Sequence, residues 1–567
     1  MNSFSAKNKN NKWWWIVIIA AVFTINLFAS IIHKRIDLTN EKRFTISSPV
    51  KKILTNLDGV VEIDLFLKGD MPSGFKKLST STEELLQEFK EYAGGKIHYK
   101  LVSADDQIPG TSRSYADTLS SLGIIPINLK VQLKAGEQSQ YIYPAALVHY
   151  KDKMLQVNLY SGTQKFITDL ELNSAEALLE YKFADVIRRV TEDKKSMIAY
   201  SVGNGEPTGD NVYDLVENVL RKNYNLFTIN VAREPVISDT FKLLMIVKPT
   251  ISFTDEEKLK IDQYIMRGGK VIWFIDELEA EVDSLRIKNQ VVAYDRNLNF
   301  DDLLFKYGVR INPNLLMDLQ CDFLPFVNAK DSLDYLHWNY FPLFESKQNN
   351  IINKHIGLVA GKFVNSIDTI NTPDIKKTIL LSSSENARTI ETPALISGEE
   401  NRNAPEDDAY KKKDIPAGIL LEGKFTSLYK NRLSQAVLDS LMNYNTPFLT
   451  QCINDNKMIV ISDGDIVLNN VSKQQPLPMG VNTYTVGTQY QYQFANKQFV
   501  ENCLEYLINN AGLSEARAKD YTLRLLDPKK VTEQKANWQI INLAFPVFFI
   551  ILGGIVYQWW RRKKYSI

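Results

Sequence analysis

Two uncharged apolar stretches flank a long middle in which short apolar runs alternate with amphipathic segments. The first, Trp13 to Ile32, reads WWWIVIIAAVFTINLFASII; the second, Ile540 to Trp560, reads IINLAFPVFFIILGGIVYQWW and closes on Arg561, Arg562, Lys563 and Lys564. About twenty apolar residues cross roughly 30 Å of hydrocarbon as a helix, so each predicts one transmembrane span. Trp13 to Trp15 and Tyr557, Trp559 and Trp560 sit like the aromatic belts found at headgroup depth. Pro546 and the Gly553-Gly554 pair suit a span that packs closely on neighbouring helices. Lys7, Lys9 and Lys12 and the terminal basic cluster favour two cytoplasmic termini, although Lys34 and Arg35 oppose this at the first span. Two spans then put the middle of the chain on the outer, periplasmic side of an inner membrane. The first stretch is longer than the roughly 7–15-residue core of a cleaved signal, so it is read as an anchor.

Between the anchors the periodicity changes near Lys194. Residues 33–193 read as a mixed α/β domain, with strands VVEIDLFL (Val60 to Leu67) and KIHYKLV (Lys96 to Val102) around a helix, STEELLQEFKEYAGG, closed by Gly94-Gly95. Ile127 to Leu133 and Gln140 to Tyr150 are expected to form a hairpin, and a helix from Ala175 to Val190 leads out. Residues 194–512 read as βαβ. The strand SMIAYSVG enters the loop GNGEPTGD, a helix follows at Tyr213 to Asn223, then come KLLMIVKP, a capped helix beginning near Ser252 or Thr254, and the buried-type strand KVIWFID. The pattern resumes with KMIVISDGD and a helix at Gln498 to Asn509. The intervening stretch, about 277–456, reads as insertions, with a polar loop at Glu399 to Lys413, and 513–539 as the link to the second span.

Charge and chemistry narrow the function. In 567 residues, 67 Lys+Arg nearly cancel 66 Asp+Glu, which gives no global field to gather nucleic acid. Cys321, Cys452 and Cys503 are far apart, lack C-x-x-C spacing, and lack the glycine-flanked turn that supports a thiolate nucleophile. His33, His98, His149, His337 and His355 show no metal-site spacing. No Walker or dinucleotide fingerprint occurs, so no catalytic residue, metal or cofactor is assigned and any ATP hydrolysis belongs to another subunit. Open α/β sheets bind ligands beyond the carboxyl ends of their strands, which makes Asn204 and Glu206 in one loop and Asp463 and Asp465 in another the ligand-binding candidates. Tight turns with solvating acids are the plainer reading of both loops. The aromatic run LHWNYFPLF offers Trp338, Tyr340 and Phe341 as a partner surface, or as packing of the insertion onto its domain.

Five segments, RIDLTNEKRFTISSPVKKIL after the first anchor, GNGEPTGD, KPTISFTDEEKLKIDQYIMRGGKVIWFIDE, MIVISDGDIV and NKQFVENCLEYLI, resemble the auxiliary component of ABC-type transporters known as GldG. The resemblance implies a GldF-like permease and a GldA-like ATPase as partners, and a link to gliding motility in Bacteroidota, whose cells also carry a type 9 secretion system. It further implies that residues 194–512 form a doubly wound α/β domain like the class I glutamine amidotransferases. The expected protein is therefore a non-catalytic accessory subunit, with lipid and an extracytoplasmic partner or ligand as further contacts. A solute receptor and an amidotransferase-like hydrolase are the rival classes. The hydrolase would need a nucleophile that none of the cysteines supplies.

Overall fold

The structure, a computed structural model, describes residues 19–26, 45–508 apart from short breaks (the longest at 161–168, 281–289 and 398–408), 512, 513, 516 and 528–565. Most of the first apolar stretch and of the polar loop at 399–413 thus lies outside the described residues; Ile19 to Asn26 is helical.

The first domain is a four-stranded sheet, β1 (Val61–Leu65), β2 (Ile97–Leu101), β3 (Ala145–Tyr150) and β4 (Lys153–Asn158), ordered β2-β1-β3-β4. β1 and β2 are parallel and therefore need a crossover, which α1 (Ser73–Tyr92) supplies. That helix starts well before the expected Ser81, because Phe75 and Leu78 extend the buried stripe of Leu86 and Phe89 by two turns. The expected hairpin is corrected. Ile127–Leu133 pairs with Gly136–Ile142, and Ala145–Tyr150 is a separate strand of the sheet. Pro144, which has no N–H to donate, separates the two. The exit helix, α2 (Leu179–Thr191), is preceded by a distinct helix, Asp169–Ala177.

The second domain centres on seven strands: β5 (Met197–Ser201), β6 (Asn225–Ile229), β7 (Leu243–Val247), β8 (Lys270–Phe274), β9 (Ile375–Ser382), β10 (Pro416–Gly423) and β11 (Asn456–Ile461). Their order is β9-β10-β11-β8-β7-β5-β6. The five from β11 to β6 run parallel and the β9-β10 edge is antiparallel. All five residues of β7, LLMIV, are buried, as expected of a strand covered on both faces. One face packs on Leu215, Val219 and α4 (Asn496–Ile508), the other on α3 (Asp255–Met266), so the sheet is doubly wound. Thr254, not Ser252, caps α3: its hydroxyl accepts from Glu257 N while Glu257 accepts from Thr254 N.

Three expectations are refined or corrected here. The helix expected at Tyr213 to Asn223 is present; a 3-10 turn, Gly209–Val212, leads into it and its middle, Asp214–Arg221, is π-helical. Asp214 N donates to Asn469 and its carboxylate accepts from Met479 N, so tertiary bonds replace the usual first turn. Residues 277–456 are not wholly insertion, since they contribute β9 and β10 to the main sheet. Trp338, Tyr340 and Phe341 are no surface: with Leu315, Met317 and Phe363 they form the core of a small β subdomain. Trp338 stacks edge-on against Tyr340, Phe341 and Phe363. The strand Leu333–Phe344 is exposed in its first half and buried in its second, so the aromatic run falls on the inner half.

In the C-terminal unit, 520–567, the described residues form one long helix, α5 (Pro528–Tyr565). Within it Asn537–Lys564 is long and apolar enough to cross a membrane and none of that window is buried.

Candidate functional site

Beyond β7, β8 and β11 the sheet brings four charged residues together. Lys248 follows β7, Asp276 lies just past β8, and Asp463 and Asp465 follow β11. One carboxylate oxygen from each of the three acids lies within 4.8 Å of the others. The Lys248 ammonium bridges two of them, 3.1 Å from Asp276 Oδ2 and 2.7 Å from Asp465 Oδ2. Backbone donors hold the rest. Lys362 N donates to Asp463 Oδ2 at 2.9 Å, Asp465 N to Asp463 Oδ1 at 2.7 Å, and Gly464 N to Asp276 Oδ1.

Local geometry explains why these residue types stand here. Lys248 has φ of +42°, a left-handed conformation that a lysine adopts only where its surroundings impose it. Residue 464 must be glycine, because a Cβ there would lie 2.5 Å from Lys248 Cβ. Gly361 lets the insertion close over the cluster: a Cβ would meet Asp463 Oδ2 at 2.8 Å. Asp463 is fully buried.

Burial divides the acids. It pushes the Asp463 carboxyl far above the usual range, reinforced by the charges of Asp276 and Asp465. Asp276 is also raised by burial, against the pull of Lys248. Burial acts on Asp465 in the same sense, but Lys248 and Lys362 overcome it and hold this carboxyl below its ordinary value. The cluster is therefore a lysine paired with one firmly ionised carboxylate, beside acids that favour holding a proton. An oxygen set of this spacing suits a hard cation, and here the lysine supplies the positive charge.

The structure unites Asp463 and Asp465, as read from the sequence, and adds Lys248 and Asp276. Each added residue closes an apolar run, KLLMIVK and KVIWFID, so inspecting every strand end would have found them. Asn204 and Glu206 form a neighbouring loop after β5. Glu206 Oε2 accepts from Asn204 N at 2.7 Å, and Asn204 O accepts from Thr250 N and Ile251 N, both at 2.9 Å. That loop lies where the chain order of the parallel strands reverses, between β5 and β7. Gly203 and Gly205 have φ of +124° and +79°, and a Cβ at Gly205 would sit 2.0 Å from Thr250 Oγ1.

The thiols stand apart from this edge. All three cysteines are buried and none is in a disulfide. Burial raises the Cys452 thiol to about 11 and Cys321 further still, the opposite of an activated nucleophile.

A doubly wound body on a chain that also carries an exposed apolar helix defines a membrane-associated α/β protein. The chain belongs to the auxiliary family of the ABC-type uncharacterized transport system, which matches residues 195–503. A domain of unknown function, DUF7088, matches residues 40–149. An uncharacterized protein of Borreliella burgdorferi is 20% identical over 443 residues, spanning 76% of this chain and 81% of its own length. The mmIFT52 N-terminal domain aligns over 55% of this chain and 97% of its own, at 13% identity and a TM-score of 0.30, too low to bear on fold or function. Membership of a transport-system family implies permease and ATPase components as associates.

Proposed function

We propose that this chain is a non-catalytic accessory subunit, fixed in the membrane beside the permease and presenting its two α/β domains outside the cytoplasm. The observation that carries this reading is the bare apolar face of α5. Leu543 and Ile550 are each 74% exposed, and Phe545, Phe548 and Ile551 are exposed with them. At 1.5 Å per residue, the 28-residue window Asn537–Lys564 covers about 42 Å, enough for the hydrocarbon and both interfaces. Pro546, Gly553 and Gly554 lie inside it and would allow a permease helix to approach closely. A second span at Trp13 to Ile32 and cytoplasmic termini complete the proposed topology.

Within that reading we assign the chain to GldG-like subunits, with a GldF-like permease and a GldA-like ATPase, in a system serving gliding motility. The five-segment resemblance supports this. The raised thiols and the closed, lysine-neutralised sheet edge support an absence of catalysis, because neither leaves an activated group open to substrate. A freely diffusing solute receptor would have no use for a second permanent span.

Two measurements test the proposal. Detergent extraction of the full chain should bring down a permease and an ATPase in fixed ratio, and a chain ending before Asn537 should lose both. Retention of both by the truncated chain would overturn docking through α5. Met442 is 66% exposed in the second domain. In intact cells M442C should react with a membrane-impermeant maleimide once the outer membrane is opened; labelling only after lysis would reverse the orientation.

A further inference from the structure

The two α/β domains meet in part through helices α2 and α4, where charged side chains make much of the contact. From α2, Asp185 Oδ1 takes Arg188 Nη2 at 2.7 Å and Asp185 Oδ2 takes Arg189 Nε at 2.8 Å. From α4, Glu505 reaches across to this group. Its Oε2 accepts from Tyr181 OH at 2.8 Å, whereas its Oε1 lies 3.8 Å from Arg188 Nη2, beyond hydrogen-bond distance. Arg188 is already committed, since its Nη1 sits 3.1 Å from Glu192 Oε2 and its Nη2 is held by Asp185. Glu505 is thus the acid that crosses the junction and the one held least firmly, with a side chain only 17% exposed.

We propose that this junction is a proton-operated joint, in which proton uptake by Glu505 tightens α2 on α4 and proton loss loosens it. The groups that face Glu505 come from three elements. α2 offers Asp185, Arg188, Arg189 and Tyr181; the chain entering β6 offers Tyr224, with Lys222 nearby; α4 itself carries Glu501 and Lys497. Neutral Glu505 removes its repulsion with Asp185 and needs no second cation at Oε1. Ionised Glu505 leaves a buried carboxylate with one good bond.

Burial, then the charge of Asp185, raises the Glu505 carboxyl to about 7, and burial also raises Glu501. The sign follows. A carboxyl whose pKa is higher in the docked joint than in the opened one gives stability that is complete at acid pH. That stability is lost as pH rises from the ordinary carboxylate range through about 7. Opening then increases by up to about tenfold per pH unit across that window and levels off above it. The joint also lies close to the membrane tether in sequence: Leu513 and Ala516, just beyond α4, pack into the first domain's core.

The test is amide exchange on the full chain in detergent, corrected for the intrinsic pH dependence of exchange, read over residues 179–191 and 496–508. In the wild type, protection should fall at least about tenfold between pH 5 and pH 8. In E505Q, a neutral isostere, it should stay high at both. Y181F, which removes the one bond favouring the ionised form, should move the transition to higher pH and stands in if E505Q does not fold. Equal pH dependence in E505Q and wild type, an unmoved transition in Y181F, or a flat wild-type profile would each overturn the joint.

Discussion

Two of the ion clusters inside the α/β body are built differently. At the carboxyl edge of the large sheet three acids, Asp276, Asp463 and Asp465, surround one cation, Lys248. At the domain junction two permanent cations, Arg188 and Arg189, share Asp185, Arg188 also holds Glu192, and Glu505 stands at the margin. A buried ion cluster is sensitive to loss of a partner that has no substitute and tolerant of loss of a surplus acid, because surplus acids can take up protons whereas arginines stay charged. The first cluster locks strands of one sheet together. The second joins two domains and is accordingly the one whose looseness has mechanical consequences.

The largest effect should come from Lys248. K248M leaves Asp465 without its 2.7 Å ammonium partner, with only the more distant charge of Lys362 to favour ionisation and Asp276 and Asp463 pressed against it. Removal of one member of a buried pair costs about 3–5 kcal/mol. Part of this returns if all three acids protonate, so the loss should shrink below pH 5 and be greatest near pH 8. Urea unfolding of the full chain at the two pH values measures it. A loss under about 1 kcal/mol at pH 8 would mean that the insertion, rather than the lysine, holds the edge closed.

Next in size is D185N, which strips two arginines of their common partner. Both retain some solvent, with side chains 10% and 26% exposed, so the cost should be nearer about 2 kcal/mol than the full value for a buried pair. It should also be local: protease cleavage and amide exchange should rise at α2 and α4 before the sheet of the second domain responds. If both domains unfold together in D185N as in the wild type, the junction is not an independent unit.

The sequence disclosed these two clusters unequally, for physical reasons. Strand-end acids are legible because apolar runs stop where the sheet stops, and Asp463 and Asp465 were found on that signal. Asp276 and Lys248 carry the same signal but stand in phrases that also read as ordinary strand exits. Their grouping depends on strand order, which places β11 beside β8 although more than 180 residues lie between Phe274 and Asn456. The junction was invisible: Asp185, Arg188 and Arg189 look like the polar face of an amphipathic helix, and only the packing of α4 shows that face to be covered. Trp338, Tyr340 and Phe341 left two readings open, a partner surface or packing, and the structure takes the second. An unbroken aromatic run carries no alternation, so nothing in it tells a double-covered strand from an exposed patch. The strands of the large sheet were the most readable part, since runs such as KLLMIVKP and KVIWFID are apolar on both faces and need no partner to be recognised.

The smallest effect is expected from D465N, and it is the sharpest check on the idea of surplus. Asp465 is the acid that Lys248 holds most firmly in its ionised state, so a simple count of salt bridges would rank it with Lys248 itself. The geometry argues otherwise. Asp276 Oδ2 already lies 3.1 Å from the same ammonium, and its carboxyl is raised by burial and in part by the charge of Asp465. Removing that charge allows Asp276 to ionise and take over the lysine, so the cation is never left alone. The net cost should be about 1 kcal/mol, the worth of one lost hydrogen bond, instead of the several expected for K248M. A D276N/D465N double variant removes the reserve. Its loss should exceed the sum of the two single losses by 1 kcal/mol or more, since contacting residues of one network couple by about 0.5–3 kcal/mol. Strict additivity in that cycle would show that each acid acts on Lys248 separately and that the edge holds no spare partner.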